Sequence, residues 1–141
     1  VETFIRVGTT GSIQEDLHLG DVVINTASVR MDGASRAYAP IEFPAAADMD
    51  TVLALREAAK ESGIPFKTGI SISMENATLF TLCAVLGLKA ASICGVVAKR
   101  ADSESVAPHE VYEKAEKRFR KVVKRALEKM ISRSRSGENI S

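Results

Sequence analysis

The segment Phe4-Ile-Arg-Val-Gly-Thr-Thr-Gly-Ser-Ile-Gln14 sets one guanidinium, two threonine hydroxyls and two glycines close together. A guanidinium offers a planar fork to two oxygens of one anion. Glycines at 8 and 11 allow positive φ, close approach to a ligand, and successive N–H groups turned toward an anion. The chemistry this suggests is oxyanion binding where a strand, Phe4 to Val7, breaks into a polar turn, Gly8-Thr9-Thr10-Gly11. The competing reading is an ordinary glycine turn beside a surface arginine. A P-loop is excluded: the Lys-Ser/Thr pair is missing, and Ser12 to His18 carries no helical apolar stripe.

Glu75 is the most informative acid, placed in the first turn of an otherwise apolar helix. Two readings stay open for it. One is a favourable charge at a helix N-terminus, worth about 0.3–1 kcal/mol; the other is a carboxylate that accepts hydrogen bonds from ligand hydroxyls such as a sugar diol. Lys99 and Arg100 follow an apolar strand and open a polar loop to Pro108, a candidate lid. His18 and His109 have neither metal-ligand spacing nor a nucleophile motif beside them. The basic residues between Lys114 and Arg135 read as the solvated face of a docked helix, because the apolar stripe is continuous and no aromatics interleave with the charges.

These groups need elements to hold them. Val22 to Val29 is a β-branched run and reads as an interior strand. Asp32-Gly33 marks a turn, and Ser35 to Pro44 an irregular loop anchored by Tyr38 and Phe43. Asp48 or Asp50 caps a helix to about Ser62 with Met49, Val52, Leu53, Leu55, Ala58 and Ala59 as its apolar face, and Gly63 ends it. Pro65 to Ile72 is a third strand. Ser73 caps a helix from Met74 to about Leu86 that is apolar almost all round and is therefore expected inside the protein. Ala90 to Ala98 is a fourth strand. A long helix from His109 or Glu110 to about Ile131 carries i,i+4 pairs Glu110–Lys114, Glu113–Lys117 and Glu116–Arg120. Strands alternating with helices predict an α/β domain with a largely parallel sheet over residues 1–131, followed by a frayed polar tail, 132–141. In such sheets ligands bind beyond the strands' carboxyl ends, so the Gly8–Gly11 turn, Ser73–Glu75 and Lys99-Arg100 are expected at one edge.

Composition sets the limits. The chain has 141 residues, enough for one domain with a real core, and 45% apolar and 26% charged residues are typical of water-soluble globular proteins. Five Phe, two Tyr and no Trp make the core aliphatic. A net charge of +1 points to no nucleic-acid partner, and no apolar run would span a membrane. Cys83 and Cys94 lie in apolar segments and read as buried thiols in a reducing compartment, with cytoplasm the expected location.

Taken in order, several segments resemble the nucleoside phosphorylase I family, in its pyrimidine branch. Phe4 to Gln14 resembles the family's phosphate-binding segment, Gly20 to Ser35 the following strand and turn, and Ala39-Pro-Ile-Glu-Phe-Pro44 the loop after it. Ser73-Met-Glu-Asn-Ala-Thr-Leu79 is similar to the ribose-binding helix start, and Gly95-Val-Val-Ala-Lys-Arg100 to the strand end beside the base. The resemblance implies a three-layer phosphorylase-type fold, a central mixed, largely parallel sheet flanked by helices. It implies reversible phosphorolysis of uridine to uracil and ribose 1-phosphate, with inorganic phosphate as co-substrate and neither cofactor nor metal. Arg6, Gly8 and Thr9 would hold phosphate; Thr9, Met74 and Glu75 the ribose; Gly11 and Arg100 the base side. Arg6, Thr9 and Glu75 would be the catalytic set. Purine members carry an aspartate where Lys99-Arg100 stands. A purine nucleoside phosphorylase or nucleosidase, and a non-catalytic remnant that only binds ligands or partners, are the alternatives.

The resemblance also implies a homo-oligomer, hexameric or dimer-based, with sites completed across subunits. Three departures qualify it. The chain begins at Val1 rather than Met, and the family carries an N-terminal portion with further phosphate contacts before this point. A long base-reading segment between the third strand and the ribose helix has no counterpart, since Gly69-Ile-Ser-Ile-Ser73 leads straight from one to the other. Ser73 replaces the first glutamate of the usual Glu-Met-Glu.

Overall fold

A computed structural model describes residues 1–100 and 105–137. Among the described residues six strands form one open mixed sheet: β1 (Thr3–Ser12), β2 (Val22–Ser28), β3 (Ala45–Ala46), β4 (Phe66–Ser71), β5 (Lys89–Lys99) and β6 (Ser105–Val106). β5 is the pivot. It runs parallel to β1 and antiparallel to β2, while β4 runs parallel to β2 on its other side. Ala90 to Val96 are all buried, as expected of a strand covered on both faces.

Two helices, α1 (Met49–Glu61) and α3 (His109–Ser136), share one face of the sheet. There Val22, Ile24, Ala91 and Ile93 pack beneath Leu55, Ala58, Phe119 and Val122. The third helix, α2 (Met74–Val85), covers part of the other face, where Phe80 and Cys83 meet Ala45 and Ala90. The result is the α/β three-layer arrangement expected from the sequence.

Both shorter helices start where their caps predict. The Asp48 carboxylate accepts from the Thr51 N–H (2.9 Å) and hydroxyl (2.6 Å), and Ser73 Oγ accepts from the Asn76 N–H (3.2 Å). Such caps are each worth about 1 kcal/mol.

Several details differ from the sequence reading. Gly8-Thr9-Thr10-Gly11 is not a turn: β1 continues through it, with one register shift between Thr10 and Gly11, and neither glycine has positive φ. The pairing with β5 overrides the local glycine signal, because each strand residue kept in the ladder retains its backbone hydrogen bonds. Met49 and Leu53 are exposed rather than part of the apolar face of α1, and Ala54 is buried instead. α2 is not enclosed either; Met74, Val85 and Leu86 face solvent.

α3 extends to Ser136, past the expected end near Ile131, and closes on Gly137 in the left-handed region. Ion pairs to α1 accompany this last stretch: Lys129 meets Glu57 (2.9 Å) and Glu61, Arg125 meets Glu61 (2.9 Å), and Arg133 meets Glu57 (3.2 Å). Of the expected pairs along α3, Glu116–Arg120 forms, whereas Glu113 pairs with His109 (3.2 Å). The candidate lid folds back at its end as β6 against Ala98 and Lys99; its residues 101–104 lie outside the described residues.

Candidate active site

Alternation along β1 sorts its side chains between the two faces. Ile5 packs into the α1–α3 core. Arg6 and Gly8 pair in register with Ser92 and Cys94, and so face the α2 side together with Asn25, the partner of Ser92 across β2. Asn25, Ser92 and Cys94 are almost completely buried. Asn25 Nδ2 donates to Ser92 Oγ (3.2 Å) and reaches Cys94 Sγ (3.5 Å), so three small polar side chains form a bed in the middle of the sheet.

Arg6 lies on that bed. One guanidinium nitrogen donates to Cys94 Sγ at 3.3 Å, and the other stands 3.4 Å from Glu75 Oε1 at the start of α2. A Cβ at position 8 would sit 3.1 Å from the guanidinium carbon and both its terminal nitrogens. Glycine here gives the guanidinium room to lie close against the strand, and it does so without an unusual φ.

The Glu75 carboxyl is held below the usual carboxylate range. The main cause is its own backbone N–H at the helix start, followed by the Ser73 hydroxyl (3.0 Å) and then the Arg6 charge. With 65% of the Glu75 side chain exposed, the pair with Arg6 contributes little to fold stability. It does place a guanidinium directly beside a largely exposed carboxylate. Met74 is exposed at the first position of α2, next to Glu75.

Thr9 does not join this group. Its register partner is Gly95, whose absent Cβ would point at Ala115 and Phe119 of α3, so Thr9 faces the α3 side. It lines a hollow of about 860 Å³ between β1 and α3, which Arg6 and Gly8 also border along with Tyr112 and Leu127. The threonine on the α2 side is Thr10. It borders a second hollow, of about 650 Å³, with Gly11, Asn25, Ser71 and Arg100. Arg100 stands over Gly11, its Nε 3.6 Å from where a Cβ would be, and its backbone N–H donates to the Ser12 carbonyl at 2.8 Å.

The expected single edge is corrected as well. β4 runs antiparallel to β5, so the Ser73–Glu75 helix start does not emerge at the end where Lys99-Arg100 lies. Arg6 and Gly11 are separated by roughly 17 Å along β1 at the usual rise per residue. The candidate residues are thus spread along the α2 face of β1, with Arg6 and Glu75 at one end and Gly11 and Arg100 at the other. The sequence reading missed the bed of Asn25, Ser92 and Cys94. Its signal was there: Ser92 and Cys94 at alternate positions of one apolar strand and Asn25 within another.

Among the described residues no group of three or more His, Cys, Asp or Glu is placed to hold a metal, and no helix is long and apolar enough to cross a membrane.

Comparison with known proteins places the chain in a family. The family model described as the phosphorylase superfamily matches residues 1–76, more than half the chain. Uridine phosphorylase of Haemophilus influenzae is 36% identical over 142 aligned positions covering 74% of this chain and 56% of that protein. Uridine phosphorylase of Thermococcus kodakarensis is 35% identical, covering 73% of this chain and 50% of its own length. Guanosine phosphorylase of Halorubrum lacusprofundi is 32% identical, covering 85% and 63%. The chain therefore spans about half the length of the uridine phosphorylases it matches. The Haemophilus alignment has 142 positions but takes in only 74% of 141 residues, so that relative also carries residues within the matched span that are absent here. With more than half its length matched by the family model, this chain belongs to the phosphorylase superfamily.

Proposed function

We propose that the intact protein is a uridine phosphorylase, a pentosyltransferase that converts uridine and inorganic phosphate to uracil and ribose 1-phosphate, reversibly. The observation that carries this reading is the 3.4 Å approach of Arg6 to Glu75 across the polar bed of the sheet. Phosphate would take the place beside the Arg6 guanidinium, over Gly8. Glu75 would accept from ribose hydroxyls, with exposed Met74 against the sugar. Gly11 and Arg100, with Thr10, would lie on the base side.

The reaction needs no protein nucleophile. A phosphate oxygen attacks the anomeric carbon as the bond to the base breaks through an oxocarbenium-like state. The bonding pair leaves on the base, which takes up a proton to become uracil. Arg6 would fix the attacking oxyanion next to the positive sugar, and Arg100 would stabilise the charge developing on the base. Catalysis of this kind rests on positioning and electrostatics. Inorganic phosphate is the co-substrate, and no cofactor is invoked. Sites completed across subunits of a homo-oligomer, and a cytoplasmic location, belong to the same proposal.

The test is release of uracil from uridine by the intact protein, with and without phosphate, beside inosine and methylthioadenosine. Phosphate-dependent turnover of uridine ahead of both purine nucleosides is the expected result. Turnover without phosphate would make the protein a nucleosidase, and preference for inosine would move it to the purine branch. Nucleoside binding with no turnover would leave only a binding protein.

A further inference from the structure

The loop after β2 contains a buried cation that the proposed reaction does not use. Arg30 is 8% exposed. Its guanidinium donates to the carbonyls of Ser35 (2.9 Å), Ala39 (2.8 Å), Phe43 (2.8 Å) and Pro40, and its Nε donates to Ser35 Oγ at 2.9 Å. Ser35 Oγ has one proton and gives it to Asp32 Oδ1 at 2.7 Å. Asp32 Oδ2 accepts from the Ser35 N–H (2.6 Å) and from Thr78 Oγ at 2.7 Å. Because Ser35 Oγ accepts from Arg30, its proton is directed to Asp32, and an ionised Asp32 accepts from Ser35 and Thr78 at its two oxygens. Burial by itself would raise the Asp32 pKa, but the bonds from Thr78 and Ser35 outweigh it and bring it to about 2.

The relay ends on α2, at the residue three positions after Glu75. A second tie holds the same helix start, since Ser28 Oγ at the end of β2 meets the Ser73 carbonyl (3.0 Å) and the Ser73 N–H (3.3 Å). α2 needs such ties, because its first turn is exposed on the Met74–Glu75 side and lacks apolar packing there.

We propose that Asp32, fixed by Arg30 and Ser35 and acting through Thr78, is a positioning residue that sets the first turns of α2 and so holds Glu75 against Arg6. This rests on the reading of Glu75 as the ribose-binding carboxylate. A hydrogen bond absent from α2 would let the helix start shift, and misplacement on the scale of 1 Å can cost roughly 10²-fold in rate.

Asp32→Asn risks unfolding the loop, so the test uses Thr78→Val, which removes only the hydroxyl, with Thr78→Ser as rescue and Glu75→Gln as reference, all in the intact protein. Hydrogen exchange at the Asn76 and Ala77 amides and KM for uridine and for phosphate are the readouts. In Thr78→Val the exchange at those amides accelerates and the uridine KM rises about tenfold, while the phosphate KM moves less than about threefold. Thr78→Ser returns both to within about twofold of wild type. Unchanged exchange in Thr78→Val overturns the inference whatever the reaction proves to be. So does a wild-type uridine KM in Thr78→Val when Glu75→Gln is impaired. A Glu75→Gln variant with wild-type uridine kinetics would instead overturn the ribose-binding role of Glu75.

Discussion

On the face covered by α1 and α3, the buried side chains of the sheet are aliphatic, and ion pairs along the helices join Glu57 and Glu61 to Lys129, Arg125 and Arg133. On the α2 face, polar groups are set into the strands themselves: Asn25, Ser92 and Cys94 lie buried under Arg6. The same strands, β5 and β2, supply both faces through alternation. One face therefore maximises apolar burial while the other gives up some of it to fix a guanidinium. Burying polar groups is tolerable where they find partners, and here Asn25 Nδ2 donates to Ser92 Oγ while Arg6 donates to Cys94 Sγ.

If the faces divide labour in this way, variants at Arg6 and Glu75 on the α2 face should alter chemistry and leave the melting point nearly unchanged, whereas variants in the α1–α3 core should do the reverse. The largest effect is expected from Arg6→Ala. Uridine kcat/KM should fall about 10²- to 10³-fold, the range for removing one preorganised oxyanion donor. Calorimetric melting should change little. A large loss of melting temperature would mean that Arg6 belongs to the fold rather than to the site.

Next comes Gly95→Ala, on the α3 face. Its new Cβ would lie 2.9 Å from Ala115 Cβ and 3.2 Å from the Phe119 ring, so β5 and α3 must separate. Overpacking of this kind costs roughly 1–3 kcal/mol, visible as a lower denaturation midpoint. Undiminished stability would show that α3 is less tightly docked than its contacts indicate.

A smaller effect concerns pH and Glu75. Its carboxyl is held below the ordinary range by its own N–H, the Ser73 hydroxyl and Arg6. The ionised form should persist below pH 4.5, and its contribution should disappear only as pH falls through the depressed pKa. Glu75→Gln should lower uridine kcat/KM and remove that acid limb from its pH profile, with the assay run on enzyme shown to remain folded.

The smallest expected effect is at the α1–α3 rim. Hydrogen bonds from Lys129 are the main cause of the lowered pKa of Glu57 and Glu61, and bonds to those two carboxylates raise the Lys129 pKa. Their contribution to stability is present above the unfolded carboxylate pKa and is lost as pH falls through the lowered values. At the alkaline end it is lost as pH rises through the raised lysine value. Lys129→Ala should flatten melting temperature against pH at both ends, and a profile identical to wild type would show that these pairs add nothing to stability.

Much of the frame was legible in the residues. Asp48 and Ser73 marked helix starts through their capping chemistry, the β-branched run at Val22 marked a buried strand, and the stripe through Ala115, Phe119 and Val122 marked the docked face of α3. What failed was information held in pairing. Gly8 to Gly11 carry the local signature of a turn, yet the ladder with β5 keeps them extended. Thr9 and Thr10 are equivalent as letters, and only register with Gly95 and Val96 assigns them to opposite faces. Arg30 gave no signal of burial, because its partners are carbonyl oxygens of a loop whose path cannot be read from side-chain types. Within the site, the closeness of Arg6 to Glu75 depends on the antiparallel β5–β2 ladder, a long-range choice that no local pattern specifies.

The central claim is that Arg6 and Glu75 act as one unit that holds phosphate and ribose side by side. A double-mutant cycle with Arg6→Gln and Glu75→Gln, read by calorimetric binding of ribose 1-phosphate to the intact protein, tests it most directly. The account predicts that each single variant weakens binding and that the double variant loses clearly less than the sum of the two, because the groups are coupled. Strictly additive losses, or binding untouched by either change, would contradict it.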